Sequence, residues 1–122
     1  MSAKVVLIYP THFRITGLPI GLASLCSVLK NNGHQVRIFD TAFYGSKEEI
    51  SQTKIKSDRM ISKEIENEDE YLPINTSTIE EDLASLINDY KPDLIGLSIL
   101  ETVYQRSLEI TRFIKKRFKH IP

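Results

Sequence analysis

The chain of 122 residues has one cysteine, no tryptophan and no excess of charge of either sign. Cys26 alone cannot form an internal disulfide, a structural zinc site or an iron–sulfur cluster. Sixteen basic and sixteen acidic residues balance, which argues against nucleic-acid binding through phosphate neutralisation and against a polybasic membrane anchor. No apolar run approaches the roughly 20 residues of a transmembrane helix, and no signal peptide precedes the first strand-like run. We expect a single cytoplasmic domain over residues 1–122.

The first forty residues predict a strand, a helix and a second strand. The continuous apolar run Lys4–Tyr9 is typical of a central strand that is buried on both faces. An apolar stripe on residues 22–29 predicts a helix and makes Cys26 a core residue. Gly33 follows as the expected left-handed cap of that helix. Polar and apolar residues alternate over Gln35–Asp40, which predicts an edge or half-covered strand.

Residues 41–75 differ from the rest of the chain. They have few large apolar side chains and contain acidic stretches, so we interpret them as a variable excursion from the core with a solvated surface. Ser46 and Glu49 have the spacing of a capping box, which predicts that a short helix begins there.

The core resumes after the excursion. Ser77 and Glu80 have capping-box spacing and precede an apolar stripe, which predicts a second helix. Residues 94–100 predict a second fully buried strand, and residues 103–119 a third helix with a basic last turn. This alternation predicts an α/β fold, a doubly wound (flavodoxin- or Rossmann-like) parallel sheet with helices on both faces. Because the third helix runs directly into residues 120–122, we expect a fold truncated there, the amino-terminal fragment of a longer protein.

Ligands of such sheets bind at the carboxyl ends of the strands, here at residues 10–18 and 98–103. The first loop lacks both common glycine-rich phosphate motifs, which argues against a nicotinamide-dinucleotide or nucleoside-triphosphate site. Its Thr11, Thr16 and Gly17 match a flavin phosphate loop only in part. His12 is its most suggestive side chain, because imidazole is the commonest metal ligand, although a lone loop histidine is usually a surface residue.

Small hydroxyl residues mark the end of the third strand. Ser98 and Thr102 could bind a ligand that lies over the sheet edge, although Thr102 could instead cap the third helix. Gly96 within the strand indicates the close approach of a neighbour.

The pattern of a known family is found in four stretches of the chain. These are residues 4–10; residues 18–25, Leu-Pro-Ile-Gly-Leu-Ala-Ser-Leu; residues 29–40, with Gly-His-x-Val; and residues 91–98, Lys-Pro-Asp-Leu-Ile-Gly-Leu-Ser. Together they resemble the N-terminal cobalamin (vitamin B12)-binding domain of radical S-adenosylmethionine enzymes, such as anaerobic magnesium-protoporphyrin monomethyl ester cyclases and cobalamin-dependent methyltransferases. The resemblance covers residues 4–40 and 77–122. It also places the start of the family's fourth strand at residues 121–122.

The resemblance implies that the chain binds cobalamin, with the nucleotide tail beside the third strand and the loop 10–18 beside the corrin ring. The cofactor-binding residues that it implies are Pro10, Thr11, His12, Gly17, Pro19, Gly21, Ser98, Leu100 and Thr102. Other cobalamin enzymes carry Asp-x-His-x-x-Gly with a histidine that ligates cobalt. Only His12 of that motif is present here, so no metal ligand is assigned.

The resemblance also implies partners for the chain. S-adenosylmethionine, a [4Fe-4S] cluster and the methyl-transfer or cyclisation chemistry would belong to a downstream catalytic domain of the same polypeptide, because the cysteines for the cluster are absent here.

Two other interpretations remain open. The residues Gly33-His34-Gln35-Val36 also fit the acceptor-binding, N-terminal half of a two-domain glycosyltransferase. A non-catalytic, flavodoxin-like interaction domain is the third possibility. The run Ser98-x-Leu100 and the run Pro19-x-Gly21 favour the cobalamin interpretation.

Overall fold

A computed structural model describes residues 1–12, 19–45 and 75–122. It has a parallel sheet of three strands in the order β2-β1-β3. Strand β1 (Lys4–Tyr9) is central, and it pairs with β2 (Gln35–Asp40) on one side and β3 (Leu94–Leu97) on the other. The predicted central position of the first strand is therefore confirmed. The chain has a small α/β fold that is compatible with a Rossmann-like arrangement.

Three helices accompany the described strands: α1 (Ile20–Asn31), α2 (Ile79–Tyr90) and α3 (Tyr104–Arg117). A short 3-10 turn, Glu101–Val103, leads into α3. In the described part of the chain, no helix is long and apolar enough to cross a membrane.

The core consists of two clusters that share β1, because successive side chains of a strand point to opposite faces. Val5 and Leu7 pack with Leu22 and Cys26 of α1. Val6 and Ile8 belong to the larger cluster, whose other buried members come from β2, α2, α3 and the residues after α3. The prediction that Cys26 is a core residue is confirmed, since its side chain is buried.

Of two predicted helix ends, the cap after α1 is confirmed and the start of α2 is wrong. Gly33 has a φ of 84°, in the left-handed region that favours glycine, as predicted after α1. The predicted capping box of Ser77 and Glu80 is wrong by one residue. Thr78 is the N-cap of α2 and forms a reciprocal capping box with Glu81. The hydroxyl of Ser77 instead donates to Asp82 on the first turn of α2.

The predicted fully buried strand over residues 94–100 is also wrong. β3 ends at Leu97, and Leu94 is 45% exposed. Among the described residues only β1 pairs with β3 as a strand, so the outer edge of β3 lacks the neighbour that would bury it. At that edge, the N–H of Ile95 donates to the carbonyl of Pro122 at 3.0 Å.

Two residues from the stretches that resemble the cobalamin-binding family, His34 and Asp93, fix the start of β1. The N–H of Ala3 donates to Nδ1 of His34 at 3.1 Å. The N–H of Lys4 donates to the carboxylate of Asp93 at 2.8 Å, and the N–H of Asp93 donates back to the carbonyl of Lys4 at 2.8 Å. His34 and Asp93 therefore have structural roles at the amino end of the sheet.

Candidate functional site

The loops after the three strands meet at one edge of the sheet, because the strands are parallel. Nε2 of His12, just after β1, lies 2.8 Å from the carbonyl oxygen of Thr102, after β3. A carbonyl only accepts, so Nε2 carries the proton in this contact. The two loops predicted to form the site are thus joined directly. Coordination of a metal through Nε2 would require this hydrogen bond to break.

The start of the loop after β1 is fixed by the loop after β2. Thr11 and Thr41 are both buried. The hydroxyl of Thr41 accepts a hydrogen bond from the N–H of Thr11 at 2.8 Å and donates one to the carbonyl of Thr11 at 2.9 Å. One side chain therefore satisfies both backbone polar groups of Thr11, and it holds the residue beside His12 in a single position.

Arg106, in the first turn of α3, reaches both of these loops. Its Nη1 donates to the carbonyl of Thr11, and its Nη2 donates to the carbonyl of Tyr44 at 3.4 Å. Arg106 is not among the site residues that the sequence predicts. No local pattern marks it, because the carbonyls of Thr11 and Tyr44 lie 95 and 62 positions away along the chain.

Asp82 joins the two ends of the excursion. Its Oδ2 accepts hydrogen bonds of 2.6 Å from the hydroxyl of Tyr44, before residues 46–74, and of 2.6 Å from the hydroxyl of Ser77, after them. The bond from Ser77, followed by that from Tyr44, lowers the pKa of Asp82. Burial, followed by the bond to Asp82, raises the pKa of Tyr44 well above its ordinary value. The predicted short helix at Ser46 and Glu49 lies outside the described residues.

A groove runs between α1 and the strands β1 and β3. It has a volume of about 310 Å³ and is mostly apolar; its lining residues are Leu7, Gly21, Leu22, Leu25, Gly96, Leu97 and Ser98. Two of the predicted cofactor-binding residues, Gly21 and Ser98, therefore line the same groove.

Two glycines line the groove. A Cβ at Gly21 would meet no atom within 4 Å, so any larger side chain there would extend into open space. A Cβ at Gly96 would lie 3.0 Å from Cδ2 of Leu7, which is tighter than an ordinary contact. The predicted close approach at Gly96 is confirmed, and the neighbour is Leu7.

The other predicted residues fall in different places. Pro10 is buried next to Thr11, and Pro19 is the N-cap residue of α1. Leu100 is 56% exposed at the end of the sheet and does not line the groove. The alternative role for Thr102 as a helix cap is not observed, since the N-cap of α3 is Val103, without a side-chain hydrogen bond. Gly17 lies outside the described residues.

Over the described residues, no three His, Cys, Asp or Glu side chains cluster in a way that could hold a metal ion. No protein-family model, curated protein or solved structure shows a significant match to the chain.

Proposed function

We propose that the chain is the cobalamin-binding module of a radical S-adenosylmethionine enzyme. The observation that supports this most is the groove, because Gly21 and Ser98 are distant in sequence and both line it. The resemblance to the cobalamin-binding family assigns both to the cofactor, from separate stretches of the chain. A mostly apolar groove with a few polar lining residues, here Ser98, is the usual composition of a small-molecule site.

The residues present fit part of the cofactor. Small-molecule sites have volumes of roughly 300–1,000 Å³, so a groove of about 310 Å³ suits a flat heteroaromatic base and is too small for a corrin macrocycle. Leu7, Leu25 and the two glycines would hold the benzimidazole base of the nucleotide tail. The hydroxyl of Ser98 would bind a polar atom of the same tail. Bound cobalamin would supply methyl-transfer chemistry, and the protein binds and orients it.

The loop residues would support the exposed part of the cofactor. Thr11 bonds to Thr41, and His12 bonds to Thr102. These hydrogen bonds fix the positions of Thr11 and His12 at the carboxyl end of the sheet. In the proposed role His12 stays bonded to the Thr102 carbonyl and acts as a neighbour of the cofactor, without ligating cobalt.

The finer fold assignment, a doubly wound sheet, forms part of the same proposal. The bond from Ile95 to Pro122 on the outer edge of β3 has the position of the first contact of a further parallel strand. Leu94 on β3 is 45% exposed. A continuing sheet would cover it. In this proposal, S-adenosylmethionine and the [4Fe-4S] cluster bind to a downstream domain.

One feature shared with glycosyltransferases has a structural explanation. Nδ1 of His34 accepts the hydrogen bond of Ala3 at the start of β1, at the end of the sheet away from the groove. The Gly33-His34 pattern therefore lends no separate support to an acceptor-binding function.

The proposal is tested by titrating hydroxocobalamin into the chain and following the visible absorbance. Cobinamide, which lacks the nucleotide tail, is the matched ligand. We expect saturable binding of hydroxocobalamin and weaker binding of cobinamide. Equal binding of the two would contradict a role for the groove, and absence of any binding would contradict the proposed function.

Two variants of α1 locate the binding site. Gly21→Leu should fill the groove and weaken hydroxocobalamin binding at least tenfold, and it should leave the fold intact because the position faces open space. Ser27→Leu is the control, since Ser27 is exposed on the same helix and does not line the groove. Equal affinities of the two variants would place the ligand elsewhere.

A further inference from the structure

Arg106 occupies a junction between elements that are far apart in sequence. Its side chain is partly buried in the first turn of α3, and its guanidinium donates to the carbonyls of Thr11 and Tyr44. Those carbonyls belong to the loops that follow β1 and β2. One side chain therefore connects the helix after β3 to the loops of both other strands.

The contacts form a closed ring that links the loops after β1 and β3. Arg106 bonds to Thr11, which is adjacent to His12. His12 bonds to Thr102, which lies four residues before Arg106. Removing the guanidinium opens this ring at one point and leaves the sheet pairing untouched, because neither loop carbonyl belongs to the ladder of β1, β2 and β3.

The chemistry of arginine suits this junction. The guanidinium is planar, stays charged and carries five donors in a fixed fork, so it can serve two carbonyls that lie in different directions. A lysine ammonium is a compact charge on a flexible stem and would hold the two loops less firmly.

We infer that Arg106 is the positioning residue of the candidate site: it holds Thr11, and with it the adjacent His12, in the position from which these residues border the cofactor. The inference rests on the proposed function, since it assumes that the loop borders bound cobalamin. In this role Arg106 acts through Thr11.

The test compares three variants of α3 in the whole chain. Arg106→Met keeps most of the apolar stem and removes the donors, and Arg106→Lys keeps the charge. Arg112→Met is the control, because Arg112 is exposed on the same helix and its loss changes the net charge equally. Two readouts are used: amide hydrogen exchange of the segments that contain Thr11 and Tyr44, and the Kd for hydroxocobalamin.

Arg106→Met should speed exchange at Thr11 and raise the Kd, each about tenfold, as expected for the loss of charge-assisted hydrogen bonds. Exchange in the interior of β1 should not change. Arg106→Lys should give intermediate values, and it decides the matter if the Met variant does not fold. Arg112→Met should match the wild type in both readouts.

The outcomes separate the inference from the proposed function. Unchanged exchange at Thr11, or faster exchange with an unchanged Kd, in a chain that binds hydroxocobalamin overturns the inference alone. If the wild-type chain binds no hydroxocobalamin, the proposed function is overturned, and the ligand-positioning role of Arg106 with it.

Discussion

Replacing Thr41 by valine tests the hydrogen bonds that fix the loop after β1. The Thr41 side chain is fully buried, and its hydroxyl makes both bonds to the Thr11 backbone. Valine has nearly the same shape and no hydroxyl, so the change removes hydrogen bonds without creating a cavity. The Thr11 carbonyl keeps its bond from Arg106, while the Thr11 N–H loses the acceptor on Thr41.

The expected cost follows from those contacts. A buried N–H left without its acceptor costs about 1–3 kcal/mol, and the weakened carbonyl adds about 0.5 kcal/mol. We therefore expect Thr41→Val to lower the free energy of unfolding by about 2 kcal/mol. For a domain of this size, that corresponds to a fall in Tm of about 8 °C.

Urea unfolding followed by far-ultraviolet circular dichroism measures this change. The matched control is Thr41→Ser, which keeps the hydroxyl and deletes one buried methyl group, at a cost of about 1 kcal/mol. Thr41→Val should be the less stable of the two. A Thr41→Val protein that is as stable as the wild type, or more stable than Thr41→Ser, would refute the assigned hydrogen bonds.

Three further changes test other parts of the fold. Gly33→Ala should lower the stability by about 1 kcal/mol in urea unfolding, because alanine is strained at a φ of 84°; an unchanged midpoint would contradict this conformation. Asp93→Ala should cost about 1 kcal/mol by losing the bond from Lys4, and Asp93→Asn, which keeps an acceptor, should cost less; equal losses would argue against that bond. The lowered pKa of Asp82 means that its contribution to stability is present above pH 3.8 and lost as the pH falls through the folded-state pKa. Acid titrations of the unfolding midpoint should therefore show the gap between wild type and Asp82→Asn narrowing below pH 3.8, whereas a constant gap would contradict the assignment.

The elements with a clear local pattern were predictable. The β-branched run of β1 identified the central strand, and the stripe on α1 placed Cys26 in the core. The left-handed Gly33 follows from its place after that stripe. These predictions succeed because the apolar periodicity and the helix stop signal each depend on residues only a few positions apart.

The errors have physical reasons. Two overlapping pairs, Ser77 with Glu80 and Thr78 with Glu81, have capping-box spacing. The Ser77 hydroxyl bonds to Asp82, and Thr78 is the N-cap. The apolar run of residues 94–100 predicted complete burial, but composition does not show whether a neighbouring strand is present to cover it.

The candidate site was predictable only in part. The parallel order of the strands predicts that the loops after β1 and β3 lie at the same end of the sheet, and His12 and Thr102 are in contact there. Arg106 was missed because its bonds go to backbone carbonyls, which any sequence provides. The predicted site residue Gly17 stays a prediction.

Equilibrium dialysis of one sample against three ligands tests the central claim most directly. Hydroxocobalamin is the ligand of the proposed function, and flavin mononucleotide and uridine diphosphate glucose are ligands of other Rossmann-like proteins. The groove and loops described here predict that hydroxocobalamin alone is retained by the chain. Retention of the flavin or the sugar nucleotide in place of hydroxocobalamin would contradict the cobalamin-binding function.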